Sequence, residues 1–399
     1  MSSILLLLLT CGAVNWGYAY PICFSYVVIL RQLLLKTKYD AKIYCNYLYS
    51  LDFWLLLFSG MSFAFIGLRN FTSLYHYGIL PIIAYIIGWY LLEESDCKRT
   101  RDYILTLVCG FSIYAMLNDI INIGKNRYML IDFWTGTFRA ATGSGILNTL
   151  TVAILFYMLF VEKRRVIKII YFILFACTLQ YMFLLGTRTQ FLILIVVNIL
   201  VGLIFSYQKN GLVGMFKILG LILFIVFCIV LIYKIDFLSI QEKIANTNLA
   251  YRYTNKASLA RSDEFRLEYF LEGIKNLFSY PLGGRIEQTY CHNMWLDVGR
   301  ISGIIPFLSL LFYSIFCFYK MHKIFSNKMV LMELRYLLLS VYIGAYINFF
   351  VEPIWEGQFN FFLAMCVIDG IVGSLERKIK NEQSSEKSIS IALPIRPDM

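Results

Sequence analysis

Three kinds of side chain in this sequence could do chemistry together: arginines at the edges of apolar runs, one histidine beside an asparagine, and carboxylates near helix ends. His292 and Asn293 stand just before an apolar run, and Asp297 follows one helical turn later. Near neutral pH a histidine can accept a proton from a hydroxyl, and such general-base help is worth about 10²–10⁴ in rate. Asp297 is an alternative base, as are Glu352 and Glu356 in the short turn Val351-Glu352-Pro353-Ile354-Trp355-Glu356-Gly357. A lone histidine in such a place is more often structural than catalytic. What favours chemistry at His292 is the number of arginines expected on the same side.

Arg188 lies in Leu185-Gly186-Thr187-Arg188-Thr189-Gln190, a short turn between two apolar runs. An arginine at membrane depth is costly and tends to be paired or functional. This one also opens the next helix, whose free N–H groups and positive dipole end favour an anion. The competing reading is an interfacial arginine that touches lipid headgroups. Arg139 sits in a Gly/Thr-rich stretch, Thr135 to Gly143, and Lys125, Arg127 and Arg69 fall on the same side. Arg261, Arg266, Arg285 and Arg300 add candidates from the long polar stretch and its far edge. Guanidinium grips phosphate oxygens with paired hydrogen bonds better than an ammonium does. The basic set therefore points to a lipid-linked phosphate or diphosphate at one membrane face.

The elements that must position these residues are apolar helices. With 59% hydrophobic and only 15% charged residues, the chain reads as a polytopic membrane protein and not as a soluble domain. Spans of about 20 residues are expected near 4–30, 46–67, 76–92, 103–123, 146–161, 169–186, 190–206, 218–235, 298–319, 336–352 and 359–375. The fold class is thus all-α, with about 11 transmembrane helices in a single membrane domain, residues 1–379, and one long outer loop near 236–297. Residues 4–30 are read as a retained span kinked by Gly17 and Pro21. Lys and Arg crowd alternate connections, such as Lys163 to Lys168 and Lys320 to Arg335, which puts these inside, the N-terminus outside and the C-terminus in the cytoplasm. The net charge of +11 also fits an anionic partner. The tail, 380–399, is polar and expected to be disordered. The ten cysteines lie mostly in apolar runs, with Cys291 alone in the long loop, and form no disulfide or metal pattern.

Within the long loop, Leu267, Phe270, Leu271, Ile274, Leu277 and Phe278 recur at helical spacing. Ser262, Asp263 and Glu264 supply a cap and first-turn charge, and Pro281-Leu282-Gly283-Gly284 stops the helix. Gly299 and Gly303 offer a GxxxG face for close helix approach, and Pro306 is expected to bend the following span.

Taken together, Gly186-Thr187-Arg188-Thr189 opening a helix, Arg266 ahead of a Pro-Leu-Gly-Gly turn, and His292-Asn293-Met294-Trp295-Leu296 with Gly303 downstream resemble the O-antigen ligase and polymerase superfamily. The resemblance covers about residues 170–315; earlier residues match only as a run of spans. It implies a metal-independent, cofactor-free glycosyltransferase of the bacterial inner membrane that uses an undecaprenyl-diphosphate glycan. In it Arg188 and Arg266 hold the diphosphate and His292 activates the acceptor hydroxyl; Arg139, read from the residues alone, is a further expected diphosphate ligand. The family commonly has serine where this chain has Thr187; the hydroxyl is kept. The expected reaction joins lipid-linked oligosaccharide repeat units, donor and acceptor, into O-antigen or capsule, among membrane lipids and with a chain-length regulator and a flippase as possible partners and no nucleic acid. A ligase that attaches finished polysaccharide to lipid A core is the alternative. A flippase or transporter is disfavoured because polar residues gather at the outer face and not along the spans, and a membrane scaffold whose polar loops merely connect helices is the remaining reading.

Overall fold

The computed structural model describes residues 2–13, 52–67, 78–93, 96–236, 240–245, 247–254, 256–285 and 288–392. Its first half holds α1 (Ser2–Thr10), α2 (Phe53–Gly67), α3 (Leu80–Glu93), α4 (Cys97–Asn122), α5 (Ala141–Ile146), α6 (Thr149–Ala153) and α7 (Arg165–Leu185). There follow α8 (Arg188–Ile235), α9 (Ile240–Ala245), α10 (Asn248–Thr254), α11 (Lys256–Ser279) and α12 (Met294–Ser302). The chain then forms α13 (Ile304–Ser326), α14 (Met332–Val351), α15 (Ile354–Gly357) and α16 (Phe359–Ala392). Six of these, α4, α7, α8, α13, α14 and α16, are long and apolar enough to cross a bilayer, and α2 and α3 contain shorter apolar helices. The protein is an all-α, multi-pass membrane protein.

The expected span 146–161 is not one helix. It is α5, α6 and a π-helical turn at Tyr157–Val161. Side chains of neighbouring helices take backbone groups that a regular helix would satisfy internally. Asn198 donates to Val152 O at 2.8 Å and accepts from Phe156 N at 2.6 Å, while Tyr171 donates to Thr151 O at 2.8 Å. Broken helices survive at membrane depth where neighbouring side chains pair the freed groups in this way. In α8 the backbone leaves the helix at Gly211 (φ 61°, ψ −149°). A Cβ on Gly214 would lie 2.2 Å from Ser206 O, whereas a straight helix would set these residues about 12 Å apart along its axis. The chain therefore turns sharply at Gly211, between the two runs read as separate spans.

The long polar stretch is mostly helical, as α9, α10 and α11. Ser262, Asp263 and Glu264 lie inside α11, which begins at Lys256, so they do not cap it. Its apolar stripe is split between two faces. Leu277 and Phe270 pack with Cys291, Leu296 and Phe307, while Leu267, Leu271, Ile274 and Phe278 are exposed. Only the first set meets α12. Gly303 (φ 96°) separates α12 from α13, and there a Cβ would lie 2.4 Å from Pro281 O. The Pro281–Gly284 turn fits into that break, with Ile304 N donating to Pro281 O and Gly284 N to Ile301 O, both at 2.9 Å. Pro306 falls in the first turn of α13, where its missing N–H costs nothing, so the bend belongs to Gly303. The last helix continues to Ala392, past residue 379; residues 393–399 lie outside the described ones, as do 14–51 and with them most of the first expected span.

The core is the packed interior of this bundle, where α16 and α3 approach so closely that a Cβ on Gly370 would lie 2.0 Å from Tyr85 O. One end collects the Arg164–Glu162, Lys320–Asp52 and Lys323–Glu376 ion pairs. The opposite end collects the last turn of α4, the segment 123–140, the α7–α8 turn, α11, the His292 turn and the segment 351–359. That second end is where the chemistry-bearing side chains stand.

Candidate functional site

Two asparagines on the last turns of α4 fix the segment that carries Arg127 and Arg139. Asn122 donates to Ile131 O at 2.8 Å and accepts from Ile131 N at 3.0 Å, and Asn118 accepts from Phe133 N at 3.1 Å. Arg188 is the first residue of α8, beside the N-terminal N–H groups, after Thr187 in extended conformation. Arg266 projects from the middle of α11. His292 occupies the left-handed region (φ 54°), which a residue with a Cβ adopts only when its surroundings impose it. Three hydrogen bonds hold the turn here. Asp297 Oδ1 accepts from Cys291 N at 2.6 Å, and Asn293 caps α12 through Leu296 N at 3.1 Å while donating to Phe350 O at 3.2 Å.

Glu352, buried at the C-terminal end of α14, is the centre on which these pieces close. Its Oε1 accepts from Thr189 Oγ1 at 2.5 Å and lies 3.8 Å from Arg266 Nη2. Its Oε2 is 4.0 Å from His292 Nδ1. Nδ1 is buried and has no hydrogen-bond partner among the described residues. Burial, and after it the charge of Arg266, lower the His292 imidazole to about 3, so it is neutral at ordinary pH. Arg127 joins the same group. Burial and the charges of Arg188 and Arg266 hold its guanidinium below the usual value, against the opposing pull of Tyr128 and Glu352. Its Nε and Nη1 are buried without a hydrogen-bond partner among the described residues. Three guanidinium groups thus share the neighbourhood of one carboxylate and a neutral imidazole.

The other candidates do different work. Arg300, almost wholly buried, donates at 2.7 Å to both Arg285 O and Gln288 O and at 2.5 Å to Glu356. It ties Arg285 and Gln288 to the 351–358 turn, and Glu356 is its counter-ion. Arg285 lays its guanidinium over Tyr280 at 4.3 Å. Asp297 and Asn293 shape the His292 turn, and Asp297 Oδ1 also lies 3.8 Å from Arg300 Nε. Arg261 is on α11, its side chain outside the described residues, and Arg69 is outside them altogether.

Arg139, expected on a diphosphate, is engaged elsewhere. It donates to Asp132, to Gln358 Oε1 and, at 2.7 Å, to Tyr114. Burial pushes the Asp132 carboxyl up, but Arg139, Tyr114 and the N–H groups of Thr135 and Trp134 hold it below the usual carboxylate range. Tyr114, Asp132, Thr135 and Arg139 line a cavity of about 460 Å³ with Tyr290, Trp355, Glu356 and Gln358. Among the described residues no group of three or more His, Cys, Asp or Glu side chains could hold a metal ion.

The fold therefore brings together Arg188, Arg266, His292 and Glu352. It adds Arg127, which the sequence reading set on this side without a role, and Thr189. No family model and no curated protein matches this chain, so its site stands on its own geometry.

Proposed function

We propose that the protein is a membrane glycosyltransferase with a polyprenyl-diphosphate donor, and that it joins lipid-linked oligosaccharide repeat units into a surface polysaccharide. The observation that carries this reading is the set Arg127, Arg188 and Arg266 around Glu352 and His292, with two buried Arg127 nitrogens that have no hydrogen-bond partner among the described residues. A diphosphate supplies negative charge and oxygens that guanidinium groups grip with paired hydrogen bonds. The exposed stripe Leu267, Leu271, Ile274 and Phe278 runs along the helix that carries Arg266, apolar surface of the kind a polyprenyl chain covers. In this proposal about eleven spans cross the bacterial inner membrane, the site faces outward, the N-terminus is outside and the C-terminus cytoplasmic.

In the reaction the acceptor hydroxyl gives its proton to His292 as its oxygen bonds to the donor's anomeric carbon. The bond from that carbon to the diphosphate oxygen breaks, and its electron pair leaves with the diphosphate, whose growing charge the arginines meet. Fixed donors of this kind are worth about 10²–10³ in rate each. A bound diphosphate also offsets the Arg266 charge that holds the imidazole down, and Glu352, 4.0 Å from Nδ1, stabilises the imidazolium. Catalytic hydrogen bonds are often long before substrate binds.

The test uses the purified protein in nanodiscs with lipid-linked repeat units. Polymer and free polyprenyl diphosphate should appear together, with chelator present or absent. Attachment of glycan to lipid A core without chain growth points to the ligase; translocation of the lipid-linked glycan without a new glycosidic bond removes the enzyme reading. Labelling of single cysteines with an impermeant reagent in spheroplasts checks the orientation. Reaction at 163–168 with none at 261–291 overturns it.

A further inference from the structure

The cavity beside the arginine group is built for a different kind of ligand. Its charged walls are already paired within the protein: Arg139 with Asp132, and Glu356 with Arg300. No charge is left over to recognise a phosphate. What remains is hydrogen-bonding capacity between aromatic walls. Thr135, Thr137 and Asn360 stand among Tyr114, Phe138 and Trp355. The volume, about 460 Å³, falls within the roughly 300–1,000 Å³ usual for small-molecule sites.

One donor in this wall is fixed and unused. Gln358 is buried, and its backbone is held by Gln358 N to Ile354 O and Phe361 N to Gln358 O, each at 3.0 Å. Arg139 has only hydrogens to offer, so the oxygen of the Gln358 amide must face it, which fixes the orientation of the amide. Its Nε2 then points away, buried, with no acceptor among the described residues. A buried amide N–H without a partner costs stability unless a ligand or water completes it. Tyr290 places this cavity beside the chemistry: it lines the wall, and its ring packs edge-on to His292 at 4.8 Å.

We propose that this cavity binds an uncharged sugar ring, with Gln358 Nε2 donating to one of its oxygens and the aromatic walls covering its apolar faces. That the sugar belongs to the acceptor glycan rests on the transferase reading above; the carbohydrate site itself does not. Arg139 is then a positioning residue, which orients the Gln358 amide and touches no diphosphate.

Saturation-transfer NMR on the nanodisc-embedded protein tests it. The probe is the oligosaccharide released by mild acid from the polyprenyl-linked pool of the host cells, with inorganic pyrophosphate as a second, separate ligand. Q358E keeps an oxygen toward Arg139 and replaces the free donor with an acceptor. F138A removes an aromatic wall that is 68% exposed, so folding is not at stake. Both variants should weaken sugar binding about five-fold, the worth of one such contact, and leave pyrophosphate binding unchanged. Equal sugar binding by F138A and wild type, or no transfer to the sugar in wild type, overturns the proposal. If the wild type binds sugar and not pyrophosphate, the transferase reading falls and the cavity stands. If it binds pyrophosphate and not sugar, the reverse holds.

Discussion

Replacing Glu352 with Gln separates a catalytic carboxylate from a structural one, because the two roles have opposite signatures. The amide is isosteric and keeps an oxygen for Thr189, so the 2.5 Å contact survives. What disappears is one negative charge 3.8 Å from Arg266 and 4.0 Å from His292. At an effective dielectric of about 20, unit charges about 4 Å apart interact by about 4 kcal/mol. Removing the carboxylate therefore takes one negative charge away from the guanidinium groups, and an external anion should bind more tightly. Partial relaxation and screening bring the gain to about ten-fold for pyrophosphate. The imidazolium formed during transfer loses the same counter-charge at the distance measured to Nδ1. About 4 kcal/mol there corresponds to about 10³ in rate. Calorimetric titration with pyrophosphate and single-turnover transfer, both in nanodiscs, read the two effects. Tighter binding with slower transfer is the expected pair. Unchanged transfer with unchanged pyrophosphate affinity would refute Glu352 as the partner of His292 and of the arginines. A parallel loss of both would mark it as a structural pin between α14 and α8.

The other expectations follow from the same contacts. Arg127→Lys, Arg188→Lys and Arg266→Lys each keep charge and lose the planar fork, so each should weaken pyrophosphate binding about ten-fold; Arg139→Lys should leave it unchanged. His292→Ala should retain pyrophosphate binding while transfer falls by about 10²–10⁴, and full activity would move the base to Glu352. Arg300→Met strands the carbonyls of Arg285 and Gln288 and should destabilise by about 3 kcal/mol, whereas Glu356→Gln, at a more exposed partner, should be milder; equal melting points would contradict the tie described. Lowering the pH protonates His292 in the unfolded chain below about 6.5, but in the folded protein only near 3. Stability is therefore lost as pH falls through this window, by about 2 kcal/mol at pH 5. His292→Gln should show a smaller drop in melting temperature between pH 7 and pH 5, and an identical drop would refute the lowered imidazole.

Hydropathy was enough to read an all-α membrane protein, because a span must be apolar throughout to dissolve in lipid. It failed where a helix need not hold itself together. The run 146–161 looks like any other span, yet Asn198 and Tyr171 satisfy its broken backbone from outside. Such partners lie tens of residues away and leave no local trace. The stripe on α11 misled for a related reason. Helical spacing shows that residues share a face but not which half of a broad face finds a partner, and Leu277 does so while Phe278 does not.

At the site, residues next to a recognisable helix start or turn could be read, and those whose role depends on a third element could not. Arg188 opens a helix and His292 precedes one, so each carried a signal. Arg127 and Arg139 belong to one segment, and the Gly and Thr neighbours of the second made it stand out more. The structure orders them differently. Asp132, seven residues before Arg139, neutralises it, and Tyr114 and Gln358 accept further hydrogen bonds from its guanidinium. Among the charges that act most strongly on Arg127, the one carboxylate is Glu352. An arginine already neutralised by its own segment has little affinity left for a phosphate; one that feels the charge of two others favours an anion beside it. In the proposed reaction, then, the arginine best suited to meet a diphosphate is the one whose own segment provides it no counter-ion.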